Sequence, residues 1–117
     1  IELIQTDNLH AKGMRSLGIK IVNPNGQNVV FTSDIAKHRE SLLKRKIDNN
    51  TTALFHDVSI VPNAVHSHLD DVIEYYKDEI EPYKIYAMHY QDDINTKELE
   101  EKYGINFVVR NETYILG

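Results

Sequence analysis

Apolar and polar residues change rhythm several times along the chain, and each change marks an element. Residues 1–6 (IELIQT) alternate, as a half-buried strand does. Residues 7–15 are polar and read as a loop. Residues 17–22 (LGIKIV) alternate again, with Leu17, Ile19 and Ile21 on one face. Pro24-Asn25-Gly26 is a strong turn, because proline fixes φ and Asn-Gly accepts positive φ. Residues 28–32 (NVVFT) follow as a third strand and complete a hairpin. From Asp34 the period becomes helical: Ile35, His38/Arg39, Leu42, Leu43 and Lys46/Ile47 recur on one stripe, and Asp48-Asn49-Asn50 ends the helix.

The second half repeats a strand-then-helix scheme. Ala53-Leu54-Phe55 is a short apolar run that suits a buried strand. A loop surrounds Pro62-Asn63. Ser67 reads as the cap of a helix that buries Leu69, Val72, Ile73 and Tyr76, with Asp70 and Asp71 in its first turn. Residues 84–88 (KIYAM) form another buried strand. Asn95 or Thr96 caps a short helix carrying Leu99 and Tyr103 and stopped at Gly104. Residues 107–109 and 114–116 read as a final strand pair. The order is ββ, then β-loop-α units, then ββ, which is an α/β fold with helices covering a sheet. No glycine spacing fits a phosphate-cradling loop.

Composition narrows the function classes. The chain has 117 residues, one domain's worth with room for a real core. Lys and Arg number 13 against 18 Asp and Glu, a net charge of −5, which argues against a general duplex-binding surface. Cysteine is absent, so disulfide staples, thiolate metal sites and a cysteine nucleophile are excluded. No apolar run approaches the ~20 residues of a membrane span, and no secretion signal opens the chain, so a cytoplasmic location is expected. The start at Ile1, inside an apolar run, reads as a piece cut from something longer.

The chemistry-bearing residues share a position. His10 lies in the loop after the first strand, Asp34 follows NVVFT, and His56 and Asp57 follow ALF. His66 and His68 precede a helix, and His89 follows IYAM. Ligands of open α/β sheets sit outside the carboxyl ends of strands, so these groups are expected to converge on one rim. Nitrogen and carboxylate donors without sulfur suit Zn²⁺, Mn²⁺ or Fe. A carboxylate bridging two metals about 3.5–4 Å apart is the arrangement that activates water for hydrolysis. Each residue also has a plainer reading. His10 is then a surface loop histidine, Asp34 a helix cap and His89 a satisfied rim histidine. His56 and Asp57 would end a strand, and His68 would lie in a first helical turn. His38, in a Lys/Arg-rich stretch, is expected to be solvent-exposed, and Lys44-Arg45-Lys46 reads as a solvated face.

Set in order, these motifs resemble the C-terminal half of the metallo-β-lactamase superfamily, nearest its ribonuclease Z-like and phosphodiesterase members. His10 before S-L-G-I-K-I, Asp34 in V-V-F-T-S-D-I and His89 in A-M-H-Y resemble that fold's metal ligands. A-L-F-H-D-V-S resembles the His-Glu-Ala-Thr stretch of ribonuclease Z-like members and V-H-S-H their His-Ser-Thr stretch. The chain departs from the pattern at Ser33 for Gly, Ile35 for Thr, Asp57 for Glu and His68 for Thr. The His-x-His-x-Asp-His motif of the fold's first half is absent.

The resemblance implies that residues 1–117 form the C-terminal half of an αββα sandwich, with the N-terminal half absent. It implies a metal-dependent phosphodiesterase or nuclease, complete only with that other half, the piece alone being inactive. Two divalent ions, Zn²⁺ first and Mn²⁺ or Fe otherwise, would be held through His10, Asp34 and His89. His66, oriented by Asp57, would act as the acid–base group, and His56, His68 and Tyr90 would contact substrate. The implied partner is a phosphodiester, RNA or a cyclic nucleotide; because this half is acidic, a compact one is expected at least as much as RNA. Two alternatives stand beside it. One is a lactonase or thioesterase of the same fold. The other is a non-catalytic half-domain that pairs with a second copy or with its missing half through an uncovered sheet face.

Overall fold

A computed structural model describes residues 1–5, 17–32, 35–60, 67–88 and 95–108 of the chain. Their strands form one six-stranded mixed sheet in sequential order: β1 (Glu2–Gln5), β2 (Leu17–Val22), β3 (Asn28–Phe31), β4 (Thr51–Asp57), β5 (Ile85–Met88) and β6 (Asn106–Phe107). The pairs β1–β2 and β2–β3 are antiparallel. The pairs β3–β4, β4–β5 and β5–β6 are parallel. Three helices occupy the parallel crossovers in turn: α1 (Leu43–Lys46), α2 (Leu69–Tyr76) and α3 (Thr96–Tyr103). The molecule is therefore a small α/β domain.

Local chemistry sets the connections. The β2–β3 turn is closed by the Gly26 amide donating to the Asn23 carbonyl at 3.0 Å, and Gly26 sits at φ 89°, a region that favours glycine. Asn95 caps α3, its side chain accepting from the Glu98 amide at 3.1 Å. Gly104 ends that helix at φ 70° and donates to the Glu100 carbonyl at 2.8 Å. At the amino edge of the parallel strands, the Asp48 Oδ1 accepts from Asn28 Nδ2 at 2.9 Å and from the Asn50 amide at 2.8 Å. Thr51 Oγ1 donates to Asn28 Oδ1 at 2.7 Å, so the side chains of Asn28, Asp48 and Thr51 lock β3 to β4 where the register shifts at Asn28/Val29.

The core lies on one face of the sheet. Val30, Leu54, Ile85, Ala87 and Phe107 project from the strands, against Ile35, Leu43, Ile47, Leu69, Val72, Tyr76, Ile80 and Ile105. Buried positions 69, 72 and 76 of α2 keep the helical spacing read from the sequence. The opposite face is apolar yet open along its antiparallel half: Leu3 is 63% exposed, Leu17 48% and Ile21 38%. On that face Phe31, Phe55 and Tyr86 stack across three strands, with ring centroids 4.6 and 4.9 Å apart.

Three elements differ from the sequence reading. The continuous helix expected over 34–47 is broken into a 3-10 turn (His38–Glu40) and the single turn of α1. Ser41 explains the break. Its hydroxyl donates to the His38 carbonyl at 2.6 Å and accepts from the Leu43 amide at 3.3 Å, taking both groups from the helical ladder. Lys84 belongs to a 3-10 turn (Pro82–Lys84) rather than to β5, because proline starts that turn. The cap of α2 is His68 and not Ser67, whose hydroxyl is engaged elsewhere. The strand expected at 114–116 lies outside the described residues.

Gly18 shows how tightly the hairpin meets α1. A Cβ there would come within 2.9 Å of the Phe31 carbonyl oxygen and 3.3 Å of Leu43 Cδ2. Gly18→Ala is therefore expected to cost about 1–3 kcal/mol through overpacking, read as a lower urea midpoint with an unchanged slope.

Candidate functional site at the carboxyl edge

Strand direction decides where the site can be. β3, β4 and β5 run parallel, and two successive antiparallel pairings return β1 to the same direction. The carboxyl ends of β1, β3, β4 and β5 therefore share one edge, with Asp57 opposite Met88 in register. In an α/β sheet this edge is where ligands bind. Of the residues expected to act there, Asp57, His56 and His68 are described. His10, Asp34, His66, His89 and Tyr90 lie outside the described residues.

The edge rests on a hydrogen-bonded frame. The Thr32 amide donates to the Phe55 carbonyl at 3.0 Å, and the Asp57 amide to Thr32 Oγ1 at 3.0 Å. The Ile35 amide donates to Asp57 Oδ2 at 2.8 Å. The Ser67 amide donates to the Ile35 carbonyl at 2.9 Å, and the Ser59 amide to the Ser67 carbonyl at 2.6 Å. The Leu69 amide closes back on the Ser59 carbonyl at 2.9 Å, and the Val58 amide reaches the Met88 carbonyl at 2.9 Å. Asp57 is buried. Its carboxylate ties the chain after β3 to the end of β4.

His56 and His68 spend both ring nitrogens on this support. His56 is fully buried; its Nδ1–H donates to the Asp57 carbonyl at 2.7 Å, and its Nε2 accepts from the Tyr76 hydroxyl at 3.2 Å. Burial, with a smaller contribution from His38, pushes its pKa down to about 3, so the ring is neutral near neutrality. His56 is thus a prop beneath the edge, not the substrate contact expected from the sequence, because no part of its ring meets solvent. His68 caps α2: its Nδ1 accepts from the Asp70 amide at 3.3 Å, and its Nε2–H donates to the Ile60 carbonyl at 3.1 Å. Its side chain stays 32% exposed.

His38 is the group that sequence reasoning missed. Expected to face solvent, it is 2% exposed. Its ring packs edge-on to His56 at 5.2 Å and to Tyr75 at 5.3 Å between centroids. Nδ1 lies 2.8 Å from Ser67 Oγ and Nε2 3.0 Å from Asp71 Oδ2, the latter poorly aligned for a hydrogen bond. The tautomer follows from the partners. The Ser67 hydroxyl lies within reach of both His38 Nδ1 at 2.8 Å and the Ile35 carbonyl at 2.9 Å; the Asp71 carboxylate 3.0 Å from Nε2 favours a ring proton there, so the hydroxyl donates to Nδ1. The opposite tautomer would aim a lone pair at that carboxylate. Burial lowers the His38 pKa to about 4 against the raising effect of Asp71. The one sequence hint was the four-residue spacing of Ser67 and Asp71, which turns both toward one neighbour.

This Asp71–His38–Ser67 chain has the connectivity of a nucleophilic triad. Ser67 is 2% exposed, however, so its hydroxyl meets no substrate and the chain is a support. Asp71 also receives Arg39, whose Nη2 donates to Oδ1 at 2.6 Å and whose Nε donates to both oxygens at 3.0 Å. That guanidinium holds the Asp71 carboxyl below its ordinary range. The basic run beyond it is matched with acids: Lys44 lies 3.5 Å from Glu79, and Lys46 pairs with Glu2.

The family model of the anti-Pycsar protein Apyc1 matches residues 1–114, and the chain belongs to that family. No curated protein matches it. This membership corrects the expectation of a metallo-β-lactamase relative, since the family shown is a different one. It also corrects the metal-dependent phosphodiesterase or nuclease expected from that resemblance, together with its lactonase or thioesterase alternative. Among the described residues no group of three or more His, Cys, Asp or Glu side chains is placed to hold a metal ion, because His56, Asp57 and His68 are each committed to the frame. The zinc, metal-binding and hydrolase readings come from the overturned resemblance and are corrected with it; the expected ligands His10, Asp34 and His89 lie outside the described residues. Among the described residues no helix is long and apolar enough to cross a membrane.

Two outcomes follow from the buried pair. Both imidazoles titrate lower folded than unfolded, so the unfolded chain binds more protons and stability drains away as pH falls. The urea midpoint is expected to hold above pH 6.5, the ordinary histidine value, and to fall steadily toward about 4; a flat profile across that window would contradict the assignment. Tyr76→Phe removes the proton donor to His56 Nε2 and is expected to cost about 1–1.5 kcal/mol by urea denaturation.

Proposed function

We propose that this member of the anti-Pycsar protein Apyc1 family lowers the free concentration of a cyclic nucleotide signal, taking the nucleotide at the carboxyl edge of the sheet. The observation that carries the reading is the family match over residues 1–114, since an anti-Pycsar protein opposes a defence that signals through cyclic nucleotides. Two physical features support the edge as the place. Parallel strands deliver their carboxyl ends to it, and backbone and side-chain hydrogen bonds tie its described residues together. Rigid support is what a small ligand needs, because ordering loops at the moment of binding would cost affinity.

Charge favours a compact ligand over a polymer. A cyclic mononucleotide carries a single negative charge and asks for one local set of donors. A nucleic acid asks for a basic face, and the chain carries a net charge of −5. Glu79 and Glu2 pair with two of the three charges of the basic run, Lys44 and Lys46.

The test is depletion. Purine and pyrimidine 3′,5′-cyclic nucleotides are incubated with the purified chain in buffer containing divalent cations. Protein is then removed by ultrafiltration, and the free cyclic nucleotide is quantified by chromatography. The free amount of at least one cyclic nucleotide is expected to fall in proportion to added protein, while the corresponding linear 5′-monophosphate stays constant. Unchanged levels of every cyclic nucleotide would overturn the proposal.

A further inference from the structure

We propose that His38 is a positioning residue of the carboxyl edge, and that the staple it makes between Ser67 and Asp71 sets how tightly the edge takes its ligand. This rests on the cyclic nucleotide reading above.

Two stretches of chain frame the edge beside β4. One runs from Ile35 to the 3-10 turn (His38–Glu40), and the other from Ser67 into α2. No sheet ladder joins them. Their direct backbone link is the Ser67 amide on the Ile35 carbonyl, at 2.9 Å. Side chains add to it: Ser67 Oγ lies 2.9 Å from the same carbonyl, and Arg39 pairs with Asp71. His38 ties these two contacts together, because its two nitrogens meet two residues four apart: Ser67 Oγ at 2.8 Å and Asp71 Oδ2 at 3.0 Å. The ring is wedged between His56 and Tyr75, so it cannot swing away. Arg39, the next residue, grips the same Asp71 and lies 4.7 Å over the Tyr75 ring. The staple is therefore rigid from both sides.

A polar ring in this place calls for a reason. A buried imidazole is costly, and an apolar ring of the same size would fill the space without that cost. The neighbours do not need His38 for their own satisfaction. Without it the Ser67 hydroxyl can turn to the Ile35 carbonyl 2.9 Å away, and Asp71 keeps Arg39. What the imidazole supplies is orientation of α2's first turn against the residues that follow β3. A loosened support of this kind weakens binding without unfolding the protein.

The experiment compares three full-length chains: wild type, His38→Phe and Gly18→Ala. His38→Phe keeps ring volume and strands no polar group, so it should fold. Gly18 packs against Leu43 and Phe31, away from the staple, and serves as a destabilised control. Cyclic nucleotide depletion is titrated at a temperature where all three are folded by circular dichroism, and amide hydrogen exchange is followed in parallel. His38→Phe is expected to raise the half-depletion protein concentration about tenfold and to speed exchange at the Ile35 and Ser67 amides. Gly18→Ala should match wild type in depletion, and any faster exchange should spread over the core amides rather than concentrate at Ile35 and Ser67. Wild-type depletion by His38→Phe, or an equal loss in Gly18→Ala, would overturn the positioning role alone. A wild-type chain that depletes nothing would overturn the function reading and this inference with it. If His38→Phe does not fold, Ser67→Ala removes one arm of the staple at no cost in volume, and the same outcomes apply with a smaller shift.

Discussion

The chain's architecture follows from three parallel pairings in a row. A parallel neighbour cannot be reached by a tight turn, so each step from β3 to β6 must cross over the sheet. Crossovers are right-handed, and all three steps move in the same direction, so every helix falls on the same face. That constraint puts Leu43, Val72 and Tyr76 in one core with Val30, Leu54 and Ile85. Among the described residues it also leaves the other face without a helix and gathers the strand ends at one edge. The same topology thus builds both the core and the place where a ligand is held.

Polar groups, not apolar ones, finish that edge. The residues that turn the chain there are buried, and a buried backbone amide or carbonyl needs a partner. Asp57 supplies one for Ile35, and Thr32 one for Asp57. His68 supplies one for Asp70 and another for Ile60. Histidine suits this work because a neutral ring offers one donor and one acceptor on a rigid plane. His56 and His38 do it with no contact with bulk water, which is why their proton affinities fall so far. Titratable residues at a strand's carboxyl end look from the sequence like chemistry. Here three of them are the scaffolding on which chemistry can stand.

That distinction explains the corrected expectation. Each motif placed a polar residue directly after a strand or before a helix; His68 does stand directly before α2, whereas His56 and Asp57 are the last two residues of β4 itself. Motif order alone could not tell whether an imidazole points outward to a ligand or inward to a carbonyl. Family membership rests on the whole length from residue 1 to 114, whereas a ligand pattern rests on a handful of positions.

Much of the framework was legible in the residues themselves. The Pro24-Asn25-Gly26 turn, the Asn95 cap, the Gly104 stop and the 69–72–76 stripe are local events, decided by one residue's conformational range or by helical spacing. Strand identity at 17–22 and 28–31 was equally local. Tertiary structure decided the rest. It moved the α2 cap from Ser67 to His68 and took His38 out of solvent. In each case the deciding partner lay within reach in space and far off in sequence, such as Ser67 and Asp71, about thirty residues from His38. Local propensity is a matter of tenths of a kcal/mol per residue, whereas leaving a buried polar group unpaired costs roughly 1–3 kcal/mol, so the distant partner wins.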